Sequence, residues 1–466
     1  VYKRQAAGME ISNHSYSTAA GWYIWGYIGQ TPIWRWAGDS DIDPDEDYQF
    51  GFYDIFSQDW DQIAYDAPNY LIVKSAGNDR GQGPSYAGTG SDPPVDGHPD
   101  GFDCIAHQAL GKNVLTVGAV SEVLNYTGPA SVAMSDFSSW GPVDDGRIKP
   151  DVVAKGVNVY SCVGTGNSDY DTYGGTSMAS PNTAGTLALL QKYYQDLNSG
   201  TPMRAATLKA LAIHTADECG SFDGPDYRFG WGLMNAERAA YKIQEDDTEQ
   251  NVIDESTLSN GSAWTRDVTV SGNSPLRITI VWTDIPGTPV LASLDPPDIM
   301  LVNDLDLSVS DGAKSTYYPY SLDKDNPSNA ATATSKNNVD NVEMVYIENT
   351  TAGIYTITVN HVGTLSSPQA FSIIISGINE YTTPPACASS FTSPGDAATD
   401  VPLDPTLMWS EVGNADSYLL HIGSDGGGST TPTNVLNGCP VGINSYDVTG
   451  LDPNTTYYVQ VFPQNN

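Results

Sequence analysis

The chain has 466 residues, enough for two to four domains and a substantial core. Its 56 Asp and Glu against 20 Lys and Arg give a formal charge of −36, which argues against nucleic acid and anionic membrane surfaces as partners because both would repel it. No apolar run approaches the ~20 residues that cross a bilayer, and 27 Tyr, 45 Gly and 30 Pro point to much β-structure and many loops.

Five cysteines, Cys104, Cys162, Cys219, Cys387 and Cys439, form no C-x-x-C pair, which speaks against a cysteine-based zinc site. Cys387 and Cys439 share a module and either bridge, in an oxidising compartment, or stay as thiols. The sequence begins at Val1 rather than Met and stops at Asn466 inside a strand-like pattern, so it reads as an interior piece of a longer product. Its lack of a signal peptide then carries no information.

In chain order, Met9 and Ile11 alternate with polar neighbours as in a half-buried strand, and the polar run Ser12-Asn13-His14-Ser15-Tyr16-Ser17 follows. An aromatic and acidic insertion occupies residues 21–66. Its carboxylates from Asp39 to Asp47 are spaced like a calcium loop, but Pro44 stands where the turn glycine belongs and Phe50 where the closing Glu belongs. A solvated acidic loop is the simpler reading. Helical spacing from Phe56 to Ala67 leads to the apolar run Tyr70-Leu71-Ile72-Val73-Lys74, a buried strand closed by Ser75-Ala76-Gly77-Asn78-Asp79.

Residues 80–101 are rich in Gly, Pro and Asp and read as a surface excursion with His98 inside it and His107 just beyond. Both histidines read as surface or core residues rather than catalysts. Val114 to Val120 is continuously apolar and suits a central parallel strand. Then comes Gly174-Gly175-Thr176-Ser177-Met178-Ala179-Ser180-Pro181, followed by an apolar helical run. Two glycines deliver Ser177 to a helix start, beside backbone N–H groups that favour developing negative charge. Ala205 to Ala216 has helical spacing, and Gly230-Trp231-Gly232 precedes one more helix.

The octet around Ser177 resembles the serine motif of the subtilisin-like serine proteases, the subtilases. That resemblance implies a serine endopeptidase acting on protein or peptide substrates, with Ser177 as nucleophile and its own N–H as half of an oxyanion hole. Asn78, at the carboxyl end of a strand, resembles the family's oxyanion Asn. By the same resemblance Ser15, Tyr16 and Ser17 line the substrate cleft, and Ser75, Ala76 and Gly77 border the pocket for the residue preceding the scissile bond. In the family the orienting Asp and the base His precede the cleft strand, and no Asp-Thr-Gly, Asp-Ser-Gly or His-Gly-Thr-His precedes Ser177 here. The expectation is therefore half an active site, inactive alone. The competing reading is a secreted pseudoprotease or adhesin-like binding protein.

The expected fold class is multidomain. Residues 1–247 form the C-terminal part of a subtilisin-like α/β domain, a parallel sheet with flanking helices. Residues 248–380 alternate as an antiparallel β-sandwich or barrel resembling the domain that follows the protease in one group of large bacterial subtilases. There Asp304, Asp306, Asp340 and Glu343 are candidate calcium ligands, with plain solvent-facing acids as the alternative. After a hinge at 382–389, residues 381–466 resemble an incomplete fibronectin type III domain, the late Leu and Tyr of Leu451-Asp452-Pro453-Asn454-Thr455-Thr456-Tyr457-Tyr458-Val459 forming its tyrosine corner. Such modules space or bind, which adds surface or polymer attachment to the expected partners and an extracellular location to the whole.

Overall fold

The computed structural model describes residues 8–84, 100–246, 252–272, 274–313, 315–378, 391–412, 415, 417–427 and 430–464. Val1 to Gln5, His98, Cys387 and the hinge at 382–389 lie outside them. Residues 1–378 make one compact unit and 379–466 a second.

The first half of the larger unit runs β1 (Ile11–His14), β2 (Trp22–Ile28), β3 (Thr31–Trp36), α1 (Ile55–Tyr65), β4 (Leu71–Ser75), β5 (Leu115–Val120), β6 (Val152–Lys155), β7 (Val159–Cys162), β8 (Tyr170–Tyr173), α2 (Thr176–Leu197), α3 (Ala205–His214) and α4 (Ala236–Glu245). The two continuous apolar runs become β4 and β5, buried at every residue, in the middle of a parallel sheet ordered β1-β4-β5-β6. Burial on both faces is what such runs require. Strand β1 starts at Ile11 rather than Met9, because its pairing with β4 begins there, at Ile11 opposite Leu71. β2 pairs with β3 and β7 with β8 as separate two-stranded hairpins.

Helix α1 is capped by Asp54, whose Oδ1 accepts the Ser57 N–H at 2.9 Å, and the chain leaves it just before Pro68. Helix α2 lies across all four strands of the sheet. Helix α3 is buried at all ten residues, which an amphipathic surface helix never is. The second half of the unit explains why.

Residues 253–376 supply β9 (Ile253–Leu258), β10 (Trp264–Val270), β11 (Leu276–Val281), β12 (Leu305–Asp311), β13 (Thr316–Tyr317), β14 (Val342–Ile347), β15 (Gly353–His361) and β16 (Gln369–Ser376). They form two antiparallel sheets, β10-β15-β12-β13 and β14-β11-β16-β9. On β11 and β16 the residues Leu276, Ile278, Ile280, Phe371, Ile373 and Ile375 fill the core between these sheets. Their alternates turn the other way: Val281 and Ile374 join the core built by the parallel sheet and α3. Both faces of this sheet are therefore covered, one by its partner sheet and one by α3. The two halves share a core instead of meeting at a linker.

Polar groups at that junction are paired. Lys112 Nζ forms a buried ion pair with Asp284 and donates to the Ile285 and Met300 carbonyls, both at 2.6 Å, while Asp284 accepts Val302 N–H at 2.8 Å and Asn303 N–H at 2.9 Å. Buried charges persist only when satisfied in this way. Lys209, in the middle of α3, pairs with Asp151 at 2.8 Å and donates to the Lys112 and Val114 carbonyls.

The smaller unit has β17 (Phe391–Ser393), β18 (Thr406–Trp409), β19 (Ser417–Gly423), β20 (Leu436–Val441), β21 (Ser445–Asp447) and β22 (Tyr458–Gln464), in antiparallel sheets β17-β18-β21 and β20-β19-β22. Trp409, Leu407, Tyr418, Leu420 and Ile422 form its core, and Tyr457 Oη accepts the Asp452 N–H at 2.9 Å. Cys439 is a thiol here, and Cys387, its partner in the bridge weighed above, lies outside the described residues. Among the described residues no helix is long and apolar enough to cross a membrane.

His214, at the end of α3, is held between Thr279 Oγ1 at 2.9 Å and Ser376 Oγ at 2.7 Å. Burial, then the charges of Arg277 and Lys242, hold its imidazole well below the ordinary value of 6.5. The unfolded chain takes up a proton near pH 6.5 that the folded chain refuses, so this residue's contribution to stability is complete above that pH and declines below it. Denaturant unfolding at pH 7.5 and at pH 5.5 should show His214→Gln losing less stability on acidification than the wild type does; equal losses would contradict the assignment.

Candidate active site

The site forms where the carboxyl ends of two strands meet a helix start. β4 ends at Ser75 and hands the chain to Ala76-Gly77-Asn78; β1 ends at His14 and hands it to Ser15; and α2 begins at Thr176. Gly175 precedes the helix with φ +151°, a conformation L side chains rarely adopt. A Cβ there would stand in ordinary contact, 3.6 Å from Ser177 N and 3.7 Å from both Asn78 Nδ2 and Oδ1, so this point lies beside both residues and it is the backbone angle that calls for glycine.

The Asn78 amide is fixed by its carbonyl end. Oδ1 accepts the Thr176 N–H at 2.9 Å and the Thr176 hydroxyl at 2.9 Å. A backbone N–H can only donate, so the oxygen must face Thr176 and the NH₂ must face away from it. Among the described residues neither Asn78 Nδ2 nor Ser177 N–H has a protein acceptor, and Asn78 is exposed. Two donors thus flank one opening at the N-terminus of a 22-residue helix, where the peptide dipoles add positive potential. Thr176, fully buried, also ties Gly77 by two bonds, from Gly77 N at 3.3 Å and to Gly77 O at 3.2 Å. The sequence reading overlooked it, although it adjoins Ser177 and carries a hydroxyl.

Ser177, half-buried, has its Oγ 3.5 Å from the Ser15 carbonyl, and Ser15 Oγ donates to the Ser177 carbonyl at 3.0 Å. Among the described residues neither a histidine nor a carboxylate contacts Ser177 Oγ. Ser15 therefore comes together with Ser177. Tyr16 is 61% exposed and shares its hydroxyl with His14 Nδ1 at 2.7 Å; Ser17 is exposed beside it. Of the other predicted pocket residues, Gly77 is partly exposed, whereas Ser75 and Ala76 are buried beneath it.

Behind Asn78 lies a charged support. Lys74, inside the apolar strand, donates to Ser75 O at 2.9 Å, and burial lowers its ammonium to about 8. Asp79 is raised to about 6 by burial, against the opposing pull of the Ser139 hydroxyl and of Lys74. Ser139 Oγ also accepts the Asp79 N–H at 3.1 Å. A lysine within an otherwise apolar strand was the visible signal for this group.

The remaining expectations fall elsewhere. His107 is buried, with Nδ1 on Asp54 at 2.7 Å, a core residue rather than a surface one. The acidic loop of the insertion spends its carboxylates on its own backbone: Asp43 Oδ1 accepts Asp45 and Glu46 N–H, and Asp47 Oδ2 accepts Gly21 N–H at 2.6 Å. Asp340 binds Ile148 N–H at 2.8 Å and Asn337 Nδ2 at 3.0 Å. Asp306 and Glu343 are buried rather than solvent-facing, because both faces of β12 are covered where Leu305, Asp306 and Leu307 succeed one another. Burial, then Asp306, raises Asp304 to about 7, and Lys336 at 2.5 Å supplies counter-charge to Asp306.

Residues 1–232 match the family model Peptidase_S8, described as the Subtilase family. A C5a peptidase of Streptococcus pyogenes serotype M3 is 32% identical over 176 residues, 34% of this chain and 14% of that one. A PII-type proteinase of Lactococcus lactis subsp. cremoris is 46% identical over 80 residues, 17% of this chain and 4% of that one. The matches thus span only a small part of those relatives' own lengths. Among solved structures, the patellamide maturation protease PatA aligns at 24% identity with a TM-score of 0.31, over 42% of this chain and 59% of that one.

Replacing Thr176 by valine keeps the shape but removes the hydroxyl that holds Asn78 and Gly77. The variant is expected to lose about 1–2 kcal/mol of stability, and its crystal structure should show Asn78 in more than one rotamer with Ser177 unmoved. A single, unchanged Asn78 rotamer would contradict the anchoring role.

Proposed function

Residues 1–232 belong to the subtilase family, and from that premise we propose that the protein is a secreted serine endopeptidase that cleaves peptide bonds through an acyl-enzyme on Ser177. One observation carries the reading: the Ser177 N–H and the Asn78 NH₂, both without protein acceptors, flank the opening beside the Ser177 hydroxyl. Donors already oriented toward developing charge need no reorganisation when the substrate carbonyl becomes an oxyanion.

In this mechanism Ser177 Oγ attacks the substrate carbonyl carbon and the carbonyl oxygen moves between Ser177 N–H and Asn78 Nδ2. Thr176 holds the amide in the donating orientation. The polar segment Ser15-Tyr16-Ser17, leaving the edge strand β1 beside Ser177, lies where an extended peptide would run, and Gly77 borders the pocket on the other side. Serine hydroxyl is a weak nucleophile and needs a base to take its proton and a carboxylate to orient that base. On this reading the His and the Asp come from sequence preceding residue 1, and the 466-residue chain alone turns over little substrate. The smaller unit, two antiparallel sheets around Trp409, reads as a fibronectin type III-like module that spaces the protease or attaches it to a surface.

The test uses the full-length protein. A fluorophosphonate probe should label it, peptide mapping should place the adduct on Ser177, and Ser177→Ala should abolish labelling. Asn78→Ala should lower kcat by about 10²–10³-fold, the cost of losing one such donor in a subtilisin, with little change in KM. A folded sample that takes no label at Ser177 would overturn the protease reading in favour of a binding protein.

A further inference from the structure

Three carboxylates converge from separate parts of the larger unit: Asp103, Asp144 and Asp295, each offering an oxygen within 4.8 Å of the others. Asp103 and Asp144 come from the α/β half, and Asp295 from the segment between β11 and β12 in the sandwich half. Asp103 is 8% and Asp144 6% exposed, and Asp103 Oδ1 and Asp144 Oδ2 are fully buried without a hydrogen-bond partner. Asp295 is exposed. The two buried side chains bend over Gly51, whose φ is +69°; a Cβ there would lie 1.9 Å from Asp144 Oδ1 and 2.5 Å from Asp103 Oδ1. The glycine thus leaves room for carboxylates where any other residue would fill the cradle.

Such an arrangement is costly without a counter-charge. An unpaired buried carboxylate costs several kcal/mol, and here two stand together with a third and with Glu46 close enough to interact. Burial, then Asp103 and Asp295, pushes Asp144 up to about 10. Lys324 is the cation that faces the group, but its Nζ is paired with Asp325 at 2.7 Å. The neighbouring Asp145 is already used, by Arg147 and by the Met300 N–H.

We propose that Asp103, Asp144 and Asp295 bind a calcium ion that fastens the α/β half to the β-sandwich. The donors are all hard oxygens, without His or Cys, which favours calcium or magnesium over zinc. Oxygens on one calcium at 2.3–2.6 Å can stand up to ~5.2 Å apart, and this group fits inside that span. Magnesium, at 2.0–2.1 Å in a strict octahedron, would require the three to close further. Two ligands come from one half and one from the other, so the ion bridges the two halves. The site is distinct from the Asp304 group, which Lys336 serves.

The test is thermal unfolding of the full-length protein, stripped with a chelator and titrated with calcium chloride or magnesium chloride. Saturating calcium is expected to raise the melting temperature by ~5 °C or more, with magnesium much less effective. Asp295→Asn, at an exposed position, should need at least tenfold more calcium for half the rise. Asp144→Asn should lose the rise. Asp304→Asn should respond as the wild type does. No calcium response in the wild type, or an unaltered response in both Asp144→Asn and Asp295→Asn, would overturn the proposal, as would a response lost only in Asp304→Asn.

Discussion

The hydrogen bond from the Thr176 N–H to Asn78 Oδ1, across 98 positions of sequence, sets the chemistry of the first half of the chain. It consumes the first N–H of α2, decides which end of the Asn78 amide faces outward, and leaves the next N–H, that of Ser177, without a protein acceptor. The parallel sheet exists, functionally, to hold the ends of β1 and β4 against that helix start. Gly175 supplies the backbone angle that brings the chain to the helix start, and Thr176 reinforces the link through its hydroxyl. A flipped amide at 78 would remove one donor.

That arrangement sits on a scaffold more continuous than its domain boundaries imply. Helix α3 is covered by the parallel sheet on one side and by β11 and β16 on the other, so the sandwich completes the core of the α/β half. Alternate residues of β11 and β16 serve two cores at once. The polar seam around them, with Lys112 on Asp284 and His214 between Thr279 and Ser376, orients the two halves, because each buried group has partners on the opposite side. The carboxylates of Asp103, Asp144 and Asp295 also meet from both halves, but there Asp103 Oδ1 and Asp144 Oδ2 have no hydrogen-bond partner.

The sequence made the site legible because its parts are local. Gly-Thr-Ser-Met-Ala-Ser-Pro and Ser-Ala-Gly-Asn-Asp each carry their own turn chemistry, and the apolar runs around Leu71 and Leu115 could only be central strands. The pairing of α3 with the sandwich was hidden, since a helix buried all round and a strand apolar on both faces look alike whatever covers them. Charged residues were the least readable. Asp306 alternates with leucines as a solvent-facing acid would, yet it is buried, and Lys112 gives no hint of a partner 172 positions away. His107 read equally as a surface or a core residue because its partner Asp54 lies on another element. Asp103, Asp144 and Asp295 share no spacing, so only the folded chain brings them together.

The central claim is that Ser177 N–H and Asn78 Nδ2 grip one oxygen atom. It is tested most directly by a crystal structure of the full-length protein with a peptide boronate bound to Ser177, whose tetrahedral boron mimics the attacked carbonyl. The account predicts one boronate oxygen about 2.7–3.1 Å from both nitrogens, with Asn78 Oδ1 still on Thr176. A boronate oxygen pointing to solvent, with the Asn78 amide turned away from it, would contradict it.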